Sequence, residues 1–140
     1  MATKWKTICC PVDFSEPTQA ALSVAADLSS RLGSNLVLLH VDGVGKVAEE
    51  LAGGELVDTA LAAWKVNAQR LGAGEVTLQR VKGQAEIAIV DYVARSGVDL
   101  IVMGTHGRVD REKMLAGSVT ESVVRNAGCP VLTVHPGDVR

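Results

Sequence analysis

Asp99–Ser118, D-L-I-V-M-G-T-H-G-R-V-D-R-E-K-M-L-A-G-S, joins a buried-strand run to a glycine-rich loop and the start of a helix. The apolar run ends at Met103. The glycines then follow with the spacing G-x2-G-x9-G-S, at Gly104, Gly107 and Gly117-Ser118. Backbone N–H groups at a helix start, left uncovered by glycine, can hold an anion without a lysine. The stretch therefore predicts a phosphate site where a strand passes into a helix.

Strand and helix patterns alternate along the rest of the chain. Apolar or alternating runs predict five strands, at Thr7–Val12, Asn35–Val41, Glu75–Lys82, Val98–Met103 and Pro130–His135. Helical periodicity with capping signals predicts four helices, at Ser15–Leu32, Glu55–Leu71, Gln84–Ser96 and Ser118–Ala127. Gly43–Gly54 predicts a loop or a short helix, because Gly53-Gly54 breaks any long one.

This alternation predicts an α/β fold. We expect a Rossmann-like open sheet of five parallel strands in the order 3-2-1-4-5, with helices on both faces and right-handed crossovers. At 140 residues the chain is long enough to bury a proper core, so one domain over residues 1–140 is expected. Helical spacing predicts two inward faces, one made of Leu56, Ala60, Ala63, Trp64 and Leu71, the other of Ile87, Val90 and Ala94.

The composition limits the kinds of molecule that the protein could bind and the cell compartment in which it would work. Hydrophobic residues make up 47% of the chain and aromatic residues only 3%, so the core is expected to be aliphatic. The formal net charge of -2, with scattered cations, argues against a nucleic-acid binder. No segment has the length of a signal peptide or a membrane span. Cys9, Cys10 and Cys129 lack a C-x-x-C pair and are best explained as small buried hydrophobes, which favours a cytoplasmic protein.

Two features meet at one place in the predicted sheet. Ligands of open parallel sheets bind beyond the carboxyl ends of the strands, where the strand order reverses. With the order 3-2-1-4-5, that point lies between the first and fourth strands. Asp13 follows the first strand and the Gly104–Ser118 loop follows the fourth. A carboxylate can accept hydrogen bonds from ribose hydroxyls or a base while the glycine loop holds phosphate, so the pair predicts a nucleotide site.

The residues at these positions resemble the ATP-binding branch of the universal stress protein family, essentially from end to end. The similarity includes P-V-D-F-S at Pro11–Ser15, V-M-G-T-H-G-R at Val102–Arg108, G-S-V-T-E at Gly117–Glu121 and C-P-V-L-T-V at Cys129–Val134. The G-x2-G-x9-G-[ST] pattern distinguishes the ATP-binding members of that family. The resemblance therefore implies an ATP-binding stress-response sensor or regulator.

The resemblance also implies a set of binding residues. Asp13 is expected at the ribose or adenine, with Pro11 and Val12 lining the pocket, and backbone groups around His40 and Val41 at the adenine edge. Met103 and Gly104 are expected beside the ribose and α-phosphate. The residues expected at the phosphates are Gly107, Gly117, Ser118 and Val119. The nucleotide is expected to be ATP, with or without Mg²⁺, while ADP, AMP and a cyclic form remain open.

One segment departs from the family pattern. Family members often carry glycine and then an apolar residue after the G-x2-G-R segment, where this chain has Asp110 and Arg111. The Asp110 carboxylate would repel phosphate, and Arg108, Arg111 or Lys113 would offset that repulsion. The nucleotide affinity and the hydrolysis rate are therefore open, whereas the fold is not affected.

Several enzyme classes fit the sequence poorly. A P-loop ATPase needs G-x4-G-K-[ST], and its lysine is missing, so at most slow ATP hydrolysis is expected. Response regulators and flavodoxins carry their functional groups after other strands. A hydrolase using Ser118, His106 and Asp13 lacks the G-x-S-x-G elbow. No catalytic residue and no protein metal ligand is therefore assigned.

A non-catalytic interaction module is the remaining alternative. The last strand, Val131–Val134, is apolar and lies at a predicted sheet edge, where unpaired backbone groups invite pairing with a second copy. Proteins of the resembled family dimerise through that strand. A homodimer is therefore expected whether or not a nucleotide binds.

Overall fold

The computed structural model describes residues 5–43, 54–105 and 119–138. Within them, five strands alternate with four helices. The strands are β1 (Thr7–Pro11), β2 (Asn35–Asp42), β3 (Val76–Lys82), β4 (Leu100–Gly104) and β5 (Val131–Val134). The helices are α1 (Glu16–Leu32), α2 (Gly54–Arg70), α3 (Ala85–Ser96) and α4 (Val119–Asn126), and a 3₁₀ turn at Pro136–Asp138 follows β5.

The strands form one parallel sheet in the order β3-β2-β1-β4-β5, which confirms the predicted fold class and strand order. β1 pairs with β2 from Thr7 opposite Asn35 to Pro11 opposite Leu39, and with β4 at Ile8 opposite Leu100. The neighbours of β1 are therefore the second and fourth strands, so the order reverses between β1 and β4. The predicted element bounds differ from the observed ones by at most two residues.

Alternating side chains of the strands divide the core into two layers. On one face, Ile8 and Cys10 pack with α1 and α2, and on the other, Cys9 packs with α3 and α4. Leu100 and Ile101 of β4 divide in the same way. Buried alternation of this kind is expected for a parallel sheet covered by helices on both faces. The sheet is thus fixed from both sides, and its carboxyl edge holds the loops.

Glycines end two of the helices. Gly33 after α1 and Gly97 after α3 have φ angles of 68° and 67°, the left-handed conformation that glycine adopts without cost. The Gly33 amide donates to the Ser29 carbonyl. These stops return the chain to the start of β2 and of β4, respectively.

The predicted inward face of α2 is wrong. Leu56 is 75% exposed and Leu71, just beyond the helix, is 44% exposed, whereas Val57 and Leu61 are buried. The helix carries apolar residues on more than one side, so helical spacing alone fits two stripes. Packing against β2 and β3 selects the stripe that contains Val57 and Leu61, and Trp64 is the residue of the predicted face that packs, partly buried, against the same cluster.

The predicted inward face of α3 is also wrong. Ile87 is 63% exposed and Ala94 is exposed, whereas Ile89 and Val93 are buried and Val90 is partly buried. Ile89 and Val93 are themselves four residues apart, so they form an equally good helical stripe. The contacts of the helix with α4 and with β2 decide between the two.

Candidate functional site

A cavity of about 300 Å³ opens at the carboxyl edge of the sheet, between β1 and β4. Its floor comes from the ends of β1, β2 and β4, and its walls from the starts of α1 and α4 and from α3. The volume lies at the lower end of the range for small-molecule sites. The cavity therefore occupies the place in the fold where open parallel sheets bind ligands.

Asp13 lies in the turn between β1 and α1, and one of its carboxylate oxygens is held by that turn. Oδ1 accepts a hydrogen bond of 3.0 Å from the Ser15 amide, one of 2.5 Å from the Ser15 hydroxyl, and a third from the Thr18 hydroxyl. Among the described residues, no other residue donates to Oδ2 of Asp13. The side chain is exposed at the cavity, so Oδ2 is available to a ligand.

The same contacts set the ionisation of Asp13. Partial burial raises the pKa of this carboxyl, but the hydrogen bonds from Ser15 and Thr18 lower it by more, so the net pKa lies below its ordinary value. Asp13 is consequently an anion at neutral pH. An anion there can accept hydrogen bonds from hydroxyl or amino groups, and it would repel a phosphate placed beside it.

His40 forms the β2 side of the cavity. Its Nδ1 lies 2.8 Å from the Val12 carbonyl oxygen, and its ring stacks on Phe14, with the ring centroids 5.0 Å apart at 27°. Phe14 also meets Trp64 edge-on at 5.4 Å. Its φ angle of 65° is unusual for a residue with a side chain. The turn that carries Asp13 is thus anchored on both sides of the carboxylate.

Gly104, the last residue of β4, lines the cavity and contacts α1. A Cβ atom on Gly104 would lie 2.3 Å from the Pro17 carbonyl oxygen, closer than real contacts allow. Glycine at this position is therefore required for the close approach of α1 to β4. This close packing is by itself a sufficient reason for glycine at position 104. The contact of Gly104 with the ribose and α-phosphate stays a prediction.

Thr105, directly after β4, carries a hydroxyl oxygen without a hydrogen-bond partner among the described residues. The Thr105 amide donates to the Val134 carbonyl at 3.0 Å, but the buried Thr105 hydroxyl oxygen has no partner within the described part of the chain. In the first turn of α4, the Thr120 hydroxyl donates to the Gly104 carbonyl at 2.9 Å. This side of the cavity therefore carries the start of a helix and, within residues 5–43, 54–105 and 119–138, a buried hydroxyl without a partner.

The structure brings together eight of the twelve residues predicted to bind the nucleotide. The eight that line the cavity are Pro11, Val12, Asp13, His40, Val41, Met103, Gly104 and Val119. Gly107, Arg108, Gly117 and Ser118 lie outside the described residues, as do His106 and Asp110. The phosphate part of the predicted site therefore stays a prediction.

Eight further lining residues were not predicted: Ser15, Pro17, Thr18, Leu39, Ala85, Ile89, Thr105 and Thr120. A signal existed for some of them. Ser15 and Thr18 are hydroxyl residues two and five positions after Asp13, within reach of its carboxylate in a helix-initiating turn. Ala85 and Ile89 gave no local signal, because only the packing of α3 across the sheet brings them to the cavity.

The cavity combines apolar walls with one charged group. Val12, Leu39, Ile89 and Met103 offer an aliphatic surface suited to a flat aromatic ring. Asp13 is the only acid among the described lining residues, and none of these is a lysine or an arginine. The β1–β2 side can therefore hold a neutral group with hydrogen-bond donors, and an anionic group would fit better on the β4–α4 side.

The cysteines take no part in the cavity lining. Cys9 and Cys10 are fully buried on opposite faces of β1, and Cys129 is partly buried, all as free thiols. Burial, and then the nearby Asp13 carboxylate, raise the pKa of Cys10 to about 12. Burial likewise raises the pKa of Cys9 and Cys129. Protonated thiols are poor nucleophiles and poor metal ligands, so these residues act as core side chains.

The described residues show neither a membrane-spanning helix nor a cluster of metal-binding side chains. None of the helices in residues 5–43, 54–105 and 119–138 is both long and apolar enough to cross a membrane. Over the same residues, no three His, Cys, Asp or Glu side chains are grouped so that they could hold a metal ion.

Comparison with known sequences identifies relatives along nearly the whole chain. The sequence profile of the Universal stress protein family matches residues 4–135. Universal stress protein MJ0577 of Methanocaldococcus jannaschii is 30% identical over 158 aligned positions, which cover 96% of this chain and 97% of that protein. Its solved structure superposes with a TM-score of 0.78, covering 95% of this chain and 97% of that chain.

Other solved structures share the fold. Universal stress protein UspA from Lactobacillus plantarum superposes with a TM-score of 0.81 at 26% identity, covering 94% of this chain and 99% of that one. A universal stress protein solved in complex with cAMP superposes with a TM-score of 0.80 at 21% identity, over 96% of this chain and 99% of that chain. At that identity, the second likeness shows the fold alone.

Proposed function

Since the chain belongs to the universal stress protein family, we propose that it binds ATP or a related adenine nucleotide in the cavity between β1 and β4. It would act as a dimeric sensor or regulator in a stress response, with at most slow hydrolysis. The observation that carries this proposal is the Asp13 carboxylate, held in place through Oδ1 and open at Oδ2, beside apolar walls at the reversal of strand order.

The charge distribution supports one orientation of the nucleotide. The adenosine part would lie on the β1–β2 side, where Asp13 accepts hydrogen bonds from ribose or adenine and the backbone near His40 and Val41 meets the base. The phosphates would lie away from Asp13, because like charges repel. On the β4–α4 side they would meet the N–H groups at the start of α4 and the Thr105 hydroxyl.

The remaining phosphate contacts are proposed from the sequence. Gly107, Arg108, Gly117 and Ser118 complete the G-x2-G-x9-G-S pattern that follows Gly104 and precedes Val119. Mg²⁺, if it accompanies ATP, would be held mainly by phosphate oxygens and water, as is usual for this cation. Slow turnover is proposed because the P-loop lysine is absent from the sequence.

The primary test is nucleotide release and titration. Purified protein is denatured and any released nucleotide is identified, and ATP, ADP, AMP and cAMP are then titrated against nucleotide-free protein. cAMP is included because a protein of the same fold has been solved with it. Wild type should bind an adenine nucleotide with micromolar or tighter affinity and form little ADP from ATP over hours.

The matched variants are Gly117→Val and Gly128→Val. Gly117→Val adds a side chain within the proposed phosphate loop, and we expect it to abolish ATP binding. A Cβ atom on Gly128 meets nothing within 4 Å, so the second variant controls for loss of a glycine as such. Equal ATP affinity in wild type and Gly117→Val would contradict the phosphate-loop proposal.

We also propose that the chain forms a homodimer through β5. This strand lies at the sheet edge, and its Leu132 side chain is 39% exposed. Burial of such an edge against a second copy would pair its backbone groups and cover its apolar side chains. Leu132→Lys should shift the protein to monomer in sedimentation velocity. Leu56→Lys, at a more exposed leucine in α2, should leave the dimer intact.

A nucleotide-free interaction module of the same fold is the second candidate. It is favoured by the same exposed edge of β5, which does not depend on the cavity. Under this alternative, wild type would dimerise through β5 but bind none of the four nucleotides. We place either form in the cytoplasm, a setting supported by three cysteines that remain free thiols.

A further inference from the structure

We propose that the His40 side chain is a positioning residue of the nucleotide pocket, which fixes the β1–α1 turn so that Asp13 is presented to the ligand. The inference rests on the proposed nucleotide binding and deepens it. The family resemblance concerns backbone groups near His40, whereas this role belongs to the imidazole and acts through Val12 and Phe14.

The first contact is a hydrogen bond to the residue before Asp13. Nδ1 of His40 lies 2.8 Å from the Val12 carbonyl oxygen. A carbonyl can only accept, so Nδ1 carries the proton and donates it. The Val12 amide in turn donates to the Leu39 carbonyl at 2.8 Å. Both backbone polar groups of Val12 are therefore tied to β2 directly before the carboxylate.

The second contact holds the residue after Asp13. Phe14 has a φ angle of 65°, a left-handed conformation that residues with a side chain rarely adopt and that persists only where their surroundings impose it. Its ring stacks on His40 and meets Trp64 edge-on. These ring contacts supply the surroundings that impose the unusual backbone. Asp13 consequently lies between two residues that the same imidazole holds.

A third set of contacts fixes the imidazole itself. Nε2 of His40 lies 3.5 Å from Asp42 Oδ1, and both side chains are largely buried. Arg80 binds the Asp42 carboxylate through two nitrogens, at 2.9 Å from Nη2 and 3.2 Å from Nε, and reaches Asp58 in α2 at 3.0 Å. Because Nδ1 donates to Val12, Nε2 can donate to Asp42 only when it carries a second proton, and the ion-paired carboxylate then fixes the ring orientation.

Together these contacts restrict the turn before any ligand arrives. A ligand that binds Oδ2 of Asp13 would then lose less conformational freedom of the protein than it would on a loose turn. The affinity for the nucleotide should therefore depend on His40 in β2, which is separated by β1 from β4 and the glycine loop that follows it. Loss of the Nδ1 donor should lower the affinity for every adenine nucleotide by a similar factor, because it acts on the shared adenosine end.

The test compares two substitutions that separate the donor from the ring. His40→Asn keeps an amide nitrogen near the position of Nδ1 but removes the ring, whereas His40→Phe keeps a ring on Phe14 but removes the donor. Circular dichroism and urea unfolding establish that each variant is folded. ATP and AMP affinities are then measured by calorimetry on wild type and on both variants.

We expect His40→Phe to weaken binding of ATP and AMP about tenfold, the effect of one net hydrogen bond. His40→Asn should stay within about threefold of wild type, because its donor can still reach Val12. A packing role would reverse this ranking, since phenylalanine fills the space better. In ¹⁵N NMR of wild type, Nδ1 of His40 should carry the proton both without and with ATP.

The outcomes distinguish this inference from the proposed function. If wild type binds ATP and His40→Phe binds it equally well, the positioning role is overturned while nucleotide binding stands. An unprotonated Nδ1 in the NMR spectrum would overturn it as well. If wild type binds no adenine nucleotide, the proposed function fails first, and the positioning role fails with it.

Discussion

The turn after β1 and the Gly104–Thr105 end of β4 border the same cavity but satisfy their polar groups differently. In the first, Asp13 Oδ1 accepts from Ser15 and Thr18, and the Val12 carbonyl accepts from His40. In the second, the buried Thr105 hydroxyl oxygen has no partner among the described residues. In the first turn, only Oδ2 of Asp13 is left to accept from a ligand while Oδ1 is already held, and at Thr105 a buried hydroxyl is left without a partner among the described residues.

The difference indicates a division of labour. A turn whose other polar groups are hydrogen-bonded resists deformation and can set the position of one free acceptor, here Oδ2 of Asp13. A buried hydroxyl without a partner costs roughly 1–3 kcal/mol, which a ligand oxygen can recover on binding. We therefore expect substitutions in the turn after β1 to change the position of Asp13, and substitutions at Thr105 to change the free energy gained when the ligand binds. Four substitutions or conditions test this contrast.

The largest effect is expected from Gly104→Ala. The new methyl group would lie 2.3 Å from the Pro17 carbonyl oxygen, so α1 must move away from β4. Overpacking typically costs about 1–3 kcal/mol of unfolding free energy, and a contact this short with backbone places the loss at about 3 kcal/mol, which urea denaturation measures. Gly128→Ala, where the added Cβ meets open space, should change stability by less than about 0.5 kcal/mol. Equal stability of the two variants would contradict the close approach.

Asp13→Ala is expected to have the next largest effect, on ATP affinity. It removes the anchored carboxylate, and a hydrogen bond to a charged group contributes about 1.5–3 kcal/mol, so binding should weaken at least tenfold in calorimetry. Asp27→Ala removes another exposed carboxylate, one paired with Arg31 in α1, and serves as the control. Unchanged ATP affinity in Asp13→Ala would remove the basis for placing the adenosine beside it.

Thr105→Val should separate stability from binding. The methyl group replaces a hydroxyl that has no partner in the described residues, so unfolding free energy should stay level or rise by up to about 1 kcal/mol. ATP affinity should fall about fivefold while adenosine affinity stays unchanged. Thr120→Val is the matched control, because it breaks the existing bond to the Gly104 carbonyl and should lower stability. A loss of stability in Thr105→Val equal to that in Thr120→Val would show that the hydroxyl is already bonded.

The smallest effect is expected from pH. The pKa of Asp13 is lower in the folded state than its ordinary value, so the folded state binds this proton less well than the unfolded chain. The carboxylate therefore stabilises the fold above the unfolded pKa of about 4, and this contribution is lost as the pH falls through the folded pKa. The difference in unfolding free energy between wild type and Asp13→Asn in urea should be full at about pH 6 and shrink as the pH falls below the unfolded pKa of about 4. A difference that persists unchanged into acid would contradict this titration.

The architecture followed from the sequence because local patterns and topology agree. Apolar runs marked the strands, glycines such as Gly33 and Gly97 marked the helix ends, and the β-α alternation left one plausible sheet. The buried face of α2 was predicted wrongly because Leu56 and Val57 are adjacent aliphatic residues, and only contacts with the sheet decide which of them is buried. Periodicity identifies a helix more reliably than it identifies its orientation.

The candidate site was predictable where its residues end a strand. Asp13 and Met103 could be placed at the carboxyl edge from strand order alone, and the structure brings both to one cavity. Ile89 could not be placed, because its position depends on how α3 crosses the sheet. The packing role of Gly104 could not be predicted either, because Pro17 is distant from it in the sequence and contacts it only in the folded protein.

Amide hydrogen exchange with and without ATP locates the ligand directly. We predict that saturating ATP slows exchange in the turn after β1, at the end of β2, and at Gly104–Thr105, all at the carboxyl edge of the sheet. The amino edge, including Asn35 and Leu100, should be unchanged. ATP binding with protection only at the amino edge or along β5, and none around Asp13 and Thr105, would contradict a nucleotide site between β1 and β4.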